Sequence, residues 1–254
     1  MEVHHHAHSH GGSKKWNERF TEFLMLFFAV FLGFMSEAYL EYRTDRHKEH
    51  DYLTSLVADL KADTAEMGQK QLVMFDLMNA GNNITKLAYK KQLNELEIDT
   101  LYINSITMVT RIVTLNFALG TIDQLKSAGG YRLIRDRHLV ELITDYDKGL
   151  STIKTQENAL MERWASVHHM QNKLLHLNAF SATGKFGQVI YDKNILNQIA
   201  KQTGSKFLKH DQNTFYEYAN YVNVAKGYVA FYQNMAKMQN QKAVELIKAI
   251  QEDL

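Results

Sequence analysis

The stretch that decides the fold is Phe215–Ile250, which reads FYEYANYVNVAKGYVAFYQNMAKMQNQKAVELIKAI. Its apolar and small residues recur at alternating spacings of four and three over about five heptads, which is typical of a helix in a coiled coil or a bundle. This seam consists of Phe215, Tyr218, Val222, Ala225, Val229, Tyr232, Ala236, Gln239, Ala243, Leu246 and Ile250. Tyrosines at 216, 218, 221, 228 and 232 occupy two faces, which favours core and interface packing over a ligand cage.

Two earlier stretches carry the same helical pattern. One follows Asp136, a residue suited to cap a helix, and its seam comprises Leu139, Ile143, Tyr146, Leu150, Ile153, Leu160, Trp164, Val167 and Leu174. The other comprises Leu53, Leu56, Val57, Leu60 and Met67. It predicts a first helix that reaches about Ala80 and ends at the loop signal Gly81-Asn82-Asn83. Together the seams predict an all-α chain whose long helices form an antiparallel bundle.

The composition supports long helices and excludes several classes of protein. The 254 residues include no proline, whereas average usage gives roughly a dozen. Proline is the strongest helix breaker, so its absence favours long helices. The absence of cysteine excludes disulfides, thiolate catalysis and cysteine-ligated metals. A net charge of +1 excludes a strongly basic nucleic-acid binder, and we expect no nucleic-acid partner.

The shorter elements are predicted from local signals. We expect a short helix over about Ile84–Gln92 and a helix over Ile98–Phe117, although β-branched residues in the latter also suit a strand. Thr121 and Gln124 fit a capping box, and Gly129-Gly130 is a typical helix stop. The remaining predictions are a break over Asn178–Gly187 and a helix over Val189–Gln202 that ends at Gly204-Ser205.

The N-terminal region contains a candidate membrane helix, Phe20–Leu40. Its 21 residues span about 31 Å as a helix, and Phe, Leu, Met, Val and Ala occur on all of its faces. Trp16, Tyr39 and Tyr42 flank it as interfacial aromatics. A buried core helix and a cleaved signal peptide are the alternatives. We therefore divide the chain into a tail (1–15), a transmembrane helix (16–42) and a helical bundle (43–254).

Small residues on one face of this helix suggest association with another helix. Ala29, Gly33 and Ser36 share that face with Glu22 and Glu37, and small residues let the backbones of membrane helices approach closely. We therefore expect a homo-oligomer or a subunit of a larger membrane complex. In an oligomer, Glu22 and Glu37 would form two carboxylate rings, so a cation channel or transport component is an alternative.

Five histidines in the tail form a candidate metal site. His4, His5, His6, His8 and His10 lie within seven residues, and imidazole nitrogen suits Zn²⁺, Ni²⁺ or Cu²⁺. The alternative is a polar tail that binds metal only adventitiously. The other histidines, such as the pair His47 and His50, read as surface or packing residues.

Several motifs together resemble an uncharacterised family of single-span bacterial membrane proteins with a His-rich N-terminus. They are HHHAHSH at His4–His10, Lys14-Lys15-Trp16, EFLMLFFAVFLGF at Glu22–Phe34, Tyr52-Leu53-x-x-Leu56-x-x-Asp59-Leu60, Asp63-Thr64 and DQLKSAGGYRLI at Asp123–Ile134. The resemblance covers the first half of the chain well and the second half poorly. It implies that the histidines are native and that the chain lies in the bacterial inner membrane, but it implies no activity.

The orientation in the membrane follows from weaker signals. Three basic residues lie on each side of the span, namely Lys14, Lys15 and Arg19 before it and Arg43, Arg46 and Lys48 after it, so the charge count is a tie. The short N-terminal tail reads as part of an uncleaved signal anchor. We therefore expect a cytoplasmic N-terminus and a periplasmic helical domain.

Enzyme motifs are absent from the sequence. It contains no His-Glu-x-x-His, no Gly-x-x-x-x-Gly-Lys-Ser/Thr loop and no Gly-x-Ser-x-Gly elbow. We therefore expect a non-enzymatic, membrane-anchored, self-associating helical scaffold or accessory subunit. A helical sensor domain is a further alternative, although only about twenty residues precede the span.

Overall fold

A computed structural model of the chain describes residues 12–111, 113–127, 129–177, 193–209 and 211–254. The helices are α1 (Gly12–Ala88), α2 (Glu95–Thr110), α3 (Gly120–Ser127), a 3-10 turn (Gly130–Arg132), α4 (Arg137–Leu174), α5 (Lys193–Gln202) and α6 (Gln212–Asp253). The described residues contain no strand, only an isolated bridge between Leu175 and Phe207. The all-α prediction is confirmed.

Contacts divide the chain into two units. One extends to Asp51 and, in the described residues, consists of the first part of α1; the other is Tyr52–Leu254. The second unit, which we call the helical domain, contains the hydrophobic core. The predicted seam positions of α1, α4 and α6 are all buried in it.

Two of the long helices, α4 and α6, run antiparallel along their length. Gln239 Nε2 donates to the Tyr146 carbonyl at 2.8 Å, and Gln171 Nε2 donates to the Tyr218 hydroxyl at 2.9 Å. Residue numbers that rise along α4 therefore fall along α6. Since Asp136 accepts a bond from the His138 amide at 2.8 Å, the predicted N-terminal cap of α4 is confirmed.

The domain part of α1 also runs antiparallel to α6. The Lys226 ammonium bonds Asn82 Oδ1 at 3.0 Å, and the Tyr89 hydroxyl, one residue after α1, bonds Asn220 Oδ1 at 3.1 Å. Residue numbers again rise along one partner as they fall along the other. Because α6 is antiparallel to both, α1 and α4 point the same way.

The chain between α1 and α4 forms the second leg of the bundle and runs antiparallel to α1. Its first part is α2, where Asn83 Nδ2 bonds Asn104 Oδ1 at 3.4 Å and Arg111 is paired with Asp76. Residues 113–119 then continue in the same direction without helical structure. The domain is thus an up-down-up-down bundle whose second leg is helical for one half and non-helical for the other.

The first helix is longer than predicted. It passes through Gly81-Asn82-Asn83 and ends at Ala88, so the predicted loop and the separate helix at Ile84–Gln92 are wrong. Ile84 continues the buried seam, which favours helix over a break. A Cβ at Gly81 would lie 3.2 Å from Lys226 Cδ and 3.5 Å from Val222 Cγ1, so this glycine permits a close approach of α6.

Two further helix boundaries differ from the predictions, and one is confirmed. The helix predicted over Ile98–Phe117 ends at Thr110, which is close to the β-branched residues that also suited a strand. The Thr121–Gln124 capping box is wrong, because α3 begins at Gly120 and the Thr121 amide bonds Asp59 instead. The stop at Gly129 is confirmed by its left-handed φ of 63°. The predicted break at 178–187 and residues 189–192 of the next predicted helix lie outside the described residues. The described part of that helix is α5, Lys193–Gln202, which ends at the predicted residue.

Candidate functional site

The apolar segment Phe20–Leu40 of α1 presents its side chains outward. The most apolar 18-residue window of the helix has no part buried among the residues that the structure describes, and its length and composition suffice to cross a membrane. The exposed large side chains are Phe20, Phe23, Met25, Leu26, Phe27, Phe28, Val30, Phe31, Leu32, Phe34, Met35, Tyr39 and Leu40. Within the described residues, this exposure is unlike that of a core helix, which is covered by its own chain.

The two sides of this segment differ in the size of their side chains. Phe23, Phe27 and Phe31 stack along one side, with ring centroids 6.3 and 5.9 Å apart. At 100° per residue, Gly33 lies about 120° around the helix from Phe27. The segment therefore has a bulky aromatic side and a small-residue side.

The predicted packing residues and glutamates all lie on the small-residue side. Ala29, Gly33 and Ser36 are exposed, as are Glu22 and Glu37. A Cβ built at Gly33 meets no atom of its surroundings within 4 Å, so a second helix could approach the backbone there. The uninterrupted helix keeps the five residues on one face, as their spacing predicted.

The predicted metal ligands belong to the N-terminal tail. His4, His5, His6, His8 and His10 lie outside the described residues. Within the part of the chain that is described, no group of three or more His, Asp or Glu side chains is arranged to hold a metal. His47 and His50 are exposed, and each lies 3.8 Å from a carboxylate oxygen of Asp51.

In the helical domain, buried carboxylates hold the non-helical half of the second leg. Asp63 of α1 accepts a bond from the Ala118 amide at 2.7 Å and another from the Tyr146 hydroxyl at 2.7 Å. Asp63 is 1% exposed. We call Asp63 and its counterpart in α4, Glu157, the carboxylate pair.

The second member of the pair repeats this arrangement. Glu157 accepts bonds from the Leu115 amide at 3.1 Å and the Tyr232 hydroxyl at 2.8 Å, and the Lys154 ammonium lies 2.6 Å from its other oxygen. At the edge of the leg, Asp59 accepts from the Thr121 amide at 3.1 Å. The backbone amides of Leu115, Ala118 and Thr121 thus donate to side chains of α1 and α4 instead of to the carbonyl groups of a helix or a sheet.

The surroundings shift the pKa values of the two carboxylates in opposite directions. Burial raises the pKa of Asp63 above its ordinary value, although bonds from Ala118 and Tyr146 act the other way. Burial also acts to raise the pKa of Glu157, but the bonds from Lys154, Tyr232 and the Leu115 amide outweigh it and lower that pKa. Burial and the bonded carboxylates raise the pKa of Tyr146 and Tyr232, so both remain hydroxyl donors.

Sequence reasoning missed the carboxylate pair, although a signal was present. Asp63 lies between Leu60 and Met67 in the seam of α1, and Glu157 lies between Ile153 and Leu160 in the seam of α4. Gln171 fills a further seam position, with no exposed surface. A polar residue at a seam position is a signal for a buried hydrogen-bonded network.

Comparisons with known proteins add no constraint. No family, curated protein or solved structure matches this chain.

The carboxylate pair predicts opposite effects of two amide substitutions on acid stability. A raised folded-state pKa contributes stability that is lost as pH rises, and a lowered one contributes stability that is lost as pH falls. Asp63→Asn should therefore steepen the increase in unfolding free energy between about pH 3 and 7, and Glu157→Gln should flatten it. Each substitution should also cost about 1–3 kcal/mol at neutral pH, because it replaces one of two buried acceptor oxygens with an NH₂ donor.

Denaturant unfolding of the full chain in detergent measures these slopes. Glu245→Gln is the control, because Glu245 is exposed on α6 and should leave the profile unchanged. Parallel profiles for Asp63→Asn and Glu157→Gln would contradict the assignment of opposite shifts.

Proposed function

We propose that this protein is a membrane-anchored helical scaffold or accessory subunit that self-associates through its span and binds a transition metal through its N-terminal histidines. The observation that carries the proposal is the exposed apolar segment Phe20–Leu40 on a continuous helix. In this proposal the segment crosses the bacterial inner membrane, with the tail in the cytoplasm and the helical domain in the periplasm.

The free energy of exposed apolar surface supports the membrane part of the proposal. Each large apolar side chain gains about 1.5–3 kcal/mol when it leaves water. A water-soluble monomer would leave the exposed side chains of Phe20–Leu40 uncovered. Hydrocarbon covers them, and helical hydrogen bonds already satisfy the backbone. Trp16, Tyr39 and Tyr42 are exposed at the ends of the segment, where the membrane interface favours aromatic rings.

The small-residue side supports self-association within the membrane. Lipid covers large and small apolar side chains equally well, so it gives no reason for a small side. A second helix does, because Ala29, Gly33 and Ser36 allow the two backbones to approach. Two or more associated spans would also bring their histidine tails together and raise the local concentration of imidazole ligands.

Single-cysteine crosslinking tests the self-association. The chain has no native cysteine, so each variant carries one thiol. We expect Gly33→Cys to form crosslinked dimers in isolated membranes treated with diamide, and Phe27→Cys, on the aromatic side, to form at least fivefold fewer. The reason is that only the small-residue side faces another copy.

The control for this experiment is the fractionation of the two variants. Both should be recovered in the membrane fraction after alkaline washing, since neither substitution removes the apolar character of the segment. Release into the soluble fraction would contradict the membrane anchor. Equal crosslinking at both positions, or at neither, would contradict the assigned packing side.

Calorimetric titration of the detergent-solubilised chain tests the metal site. We expect uptake of Zn²⁺, Ni²⁺ or Cu²⁺ that is lost when His4, His5, His6, His8 and His10 are replaced by alanine. Binding should weaken below about pH 6, because protonated imidazole is not a ligand. The matched control replaces the exposed pair His47 and His50 and should retain uptake. Equal uptake by the five-histidine variant would contradict the metal site.

A further inference from the structure

The non-helical half of the second leg is an extended chain. Arg111 is paired with Asp76, and the Ala118 amide is bonded to Asp63. Seven residues of the leg therefore cover thirteen residues of α1, or about 20 Å of helix. The leg thus rises by about 2.8 Å per residue, which is close to the value for a β-strand, about 3.3 Å, and far from that for an α-helix, about 1.5 Å.

Burial along this chain alternates as it does in a strand. Val113 and Leu115 are buried and Phe117 packs against the core, whereas Asn116, between Leu115 and Phe117, is exposed. Successive side chains of a strand point to opposite faces. The odd-numbered side chains therefore face the core of the bundle.

The backbone amides alternate in the same way between α1 and α4. The Ala118 amide is bonded to a carboxylate of α1, and the Leu115 amide to a carboxylate of α4. The Asn116 amide lies 3.5 Å from Glu66 Oε1, also on α1. In an extended chain the N–H and C=O groups of one residue point to the same side, and those of the next residue to the other side. Even-numbered residues thus direct their backbone groups to α1 and odd-numbered residues to α4.

This alternation leaves a row of backbone groups without partners on the α4 side. Among the residues that the structure describes, none bonds the amide or carbonyl of Phe117, the amide of Leu119 or the carbonyl of Leu115. At the two ends, the Leu115 amide is bonded to Glu157, and the Leu119 carbonyl accepts from the Asp123 amide. Two donors and two acceptors therefore remain in a row, as on the edge of a sheet. We call this row the open edge.

A solvent-open groove of about 590 Å³ lies between the open edge and α4. Leu115 and Phe117 line it on one side, and Leu150, Ser151 and Thr155 of α4 line it on the other. Leu150 is buried and gives the groove an apolar floor, whereas the two hydroxyl residues are exposed at its wall. Five extended residues are about 17 Å long. The groove thus offers an extended peptide both backbone partners and apolar contact.

The charged groups around the groove favour a basic residue in its occupant. Lys126 is paired with Asp147, and Lys154 with the buried Glu157, both at 2.6 Å. Asp123 also lines the groove, is exposed in the first turn of α3, and has no ion-pair partner among the described residues. One negative charge is therefore uncompensated, at the α3 end of the groove.

We propose that the open edge and α4 form a binding groove for an extended segment of a partner protein, which pairs antiparallel with residues 115–119 and carries a lysine or arginine at the α3 end. The partner residue opposite Phe117 would exchange two hydrogen bonds with it, and the residues two positions away would bond the Leu115 carbonyl and the Leu119 amide. Backbone bonds of this kind supply affinity, and alternate side chains supply specificity. The groove lies within the helical domain and requires neither the span nor the tail histidines.

Fluorescence anisotropy with the full chain in detergent tests this groove. The probe is the peptide Lys-Val-Thr-Val-Thr-Val-amide with fluorescein on its N-terminus, so that its middle valine can lie opposite Phe117 and its lysine beside Asp123. We expect saturable binding. A matched peptide, methylated on the amide nitrogen of the middle valine, should bind at least tenfold more weakly, because it cannot donate to the Phe117 carbonyl.

Two pairs of protein variants locate the bound peptide. Leu119→Pro removes one donor of the open edge, whereas Leu119→Ala changes the same side chain and keeps the donor. We expect at least fivefold weaker binding by Leu119→Pro than by Leu119→Ala. Ser151→Trp, at an exposed position of the groove wall, should abolish binding, and Val244→Trp, at an exposed position of α6, should preserve it. Asp123→Asn should weaken binding several-fold by removing the charge that faces the lysine.

The free energy of unfolding of each variant serves as the control for folding. Since Ser151 and Val244 are both exposed, their variants test the groove even if the proline variant is unstable. The absence of saturable binding, equal affinity for the two peptides, or binding unaffected by Ser151→Trp would each overturn the proposal. None of these results would alter the crosslinking of the span or the uptake of metal, so failure here is distinguishable from failure of the proposed function.

Discussion

The helical domain depends on one constraint: the buried amides of a non-helical chain need acceptors. Residues 113–119 run through the bundle without a helix or a sheet to satisfy them. Asp63 and Glu157 supply carboxylate oxygens to Ala118 and Leu115, and tyrosines from α4 and α6 stabilise those carboxylates. Because one carboxylate comes from α1 and the other from α4, the same bonds connect all four legs of the bundle. Removal of either carboxylate would leave donors buried without partners.

The first part of α1 has a similar requirement, but its apolar side chains need cover from water, whereas the buried amides need hydrogen-bond acceptors. Its backbone is satisfied by the helix, but the side chains of Phe20–Leu40 are covered by nothing in the described chain. A bilayer would cover these side chains on all sides, and a second helix would pack closer to the backbone than lipid does at Gly33. The proposed function therefore assigns a partner to the apolar surface of this segment.

Heptad patterns in the sequence predicted the long helices well, because burial repeats with the helical period. Every apolar seam position from Leu139 to Leu174 that the pattern identified is buried, as is every seam position of α6. The pattern failed where a single residue serves a tertiary contact. Gly81 resembles a helix stop but allows the close approach of α6. Thr121 resembles a helix cap, but its backbone amide donates to Asp59. The end of α2 at Thr110 could not be predicted, because the non-helical residues after it are bonded to carboxylates that are distant in sequence. Asp63 and Glu157 were detectable only as polar interruptions of apolar seams. That the five tail histidines bind a transition metal remains a prediction.

Hydrogen exchange of the Leu115 and Ala118 amides tests the central claim most directly. In the full chain in detergent, both amides should exchange as slowly as those of the core helices α4 and α6, because each is bonded to a buried carboxylate. Faster exchange at Leu115 in Glu157→Met, whose side chain offers this amide no oxygen acceptor, with α4 still protected, would tie that protection to the bond. Exchange at the rate of an exposed loop in the unmodified chain would contradict the account.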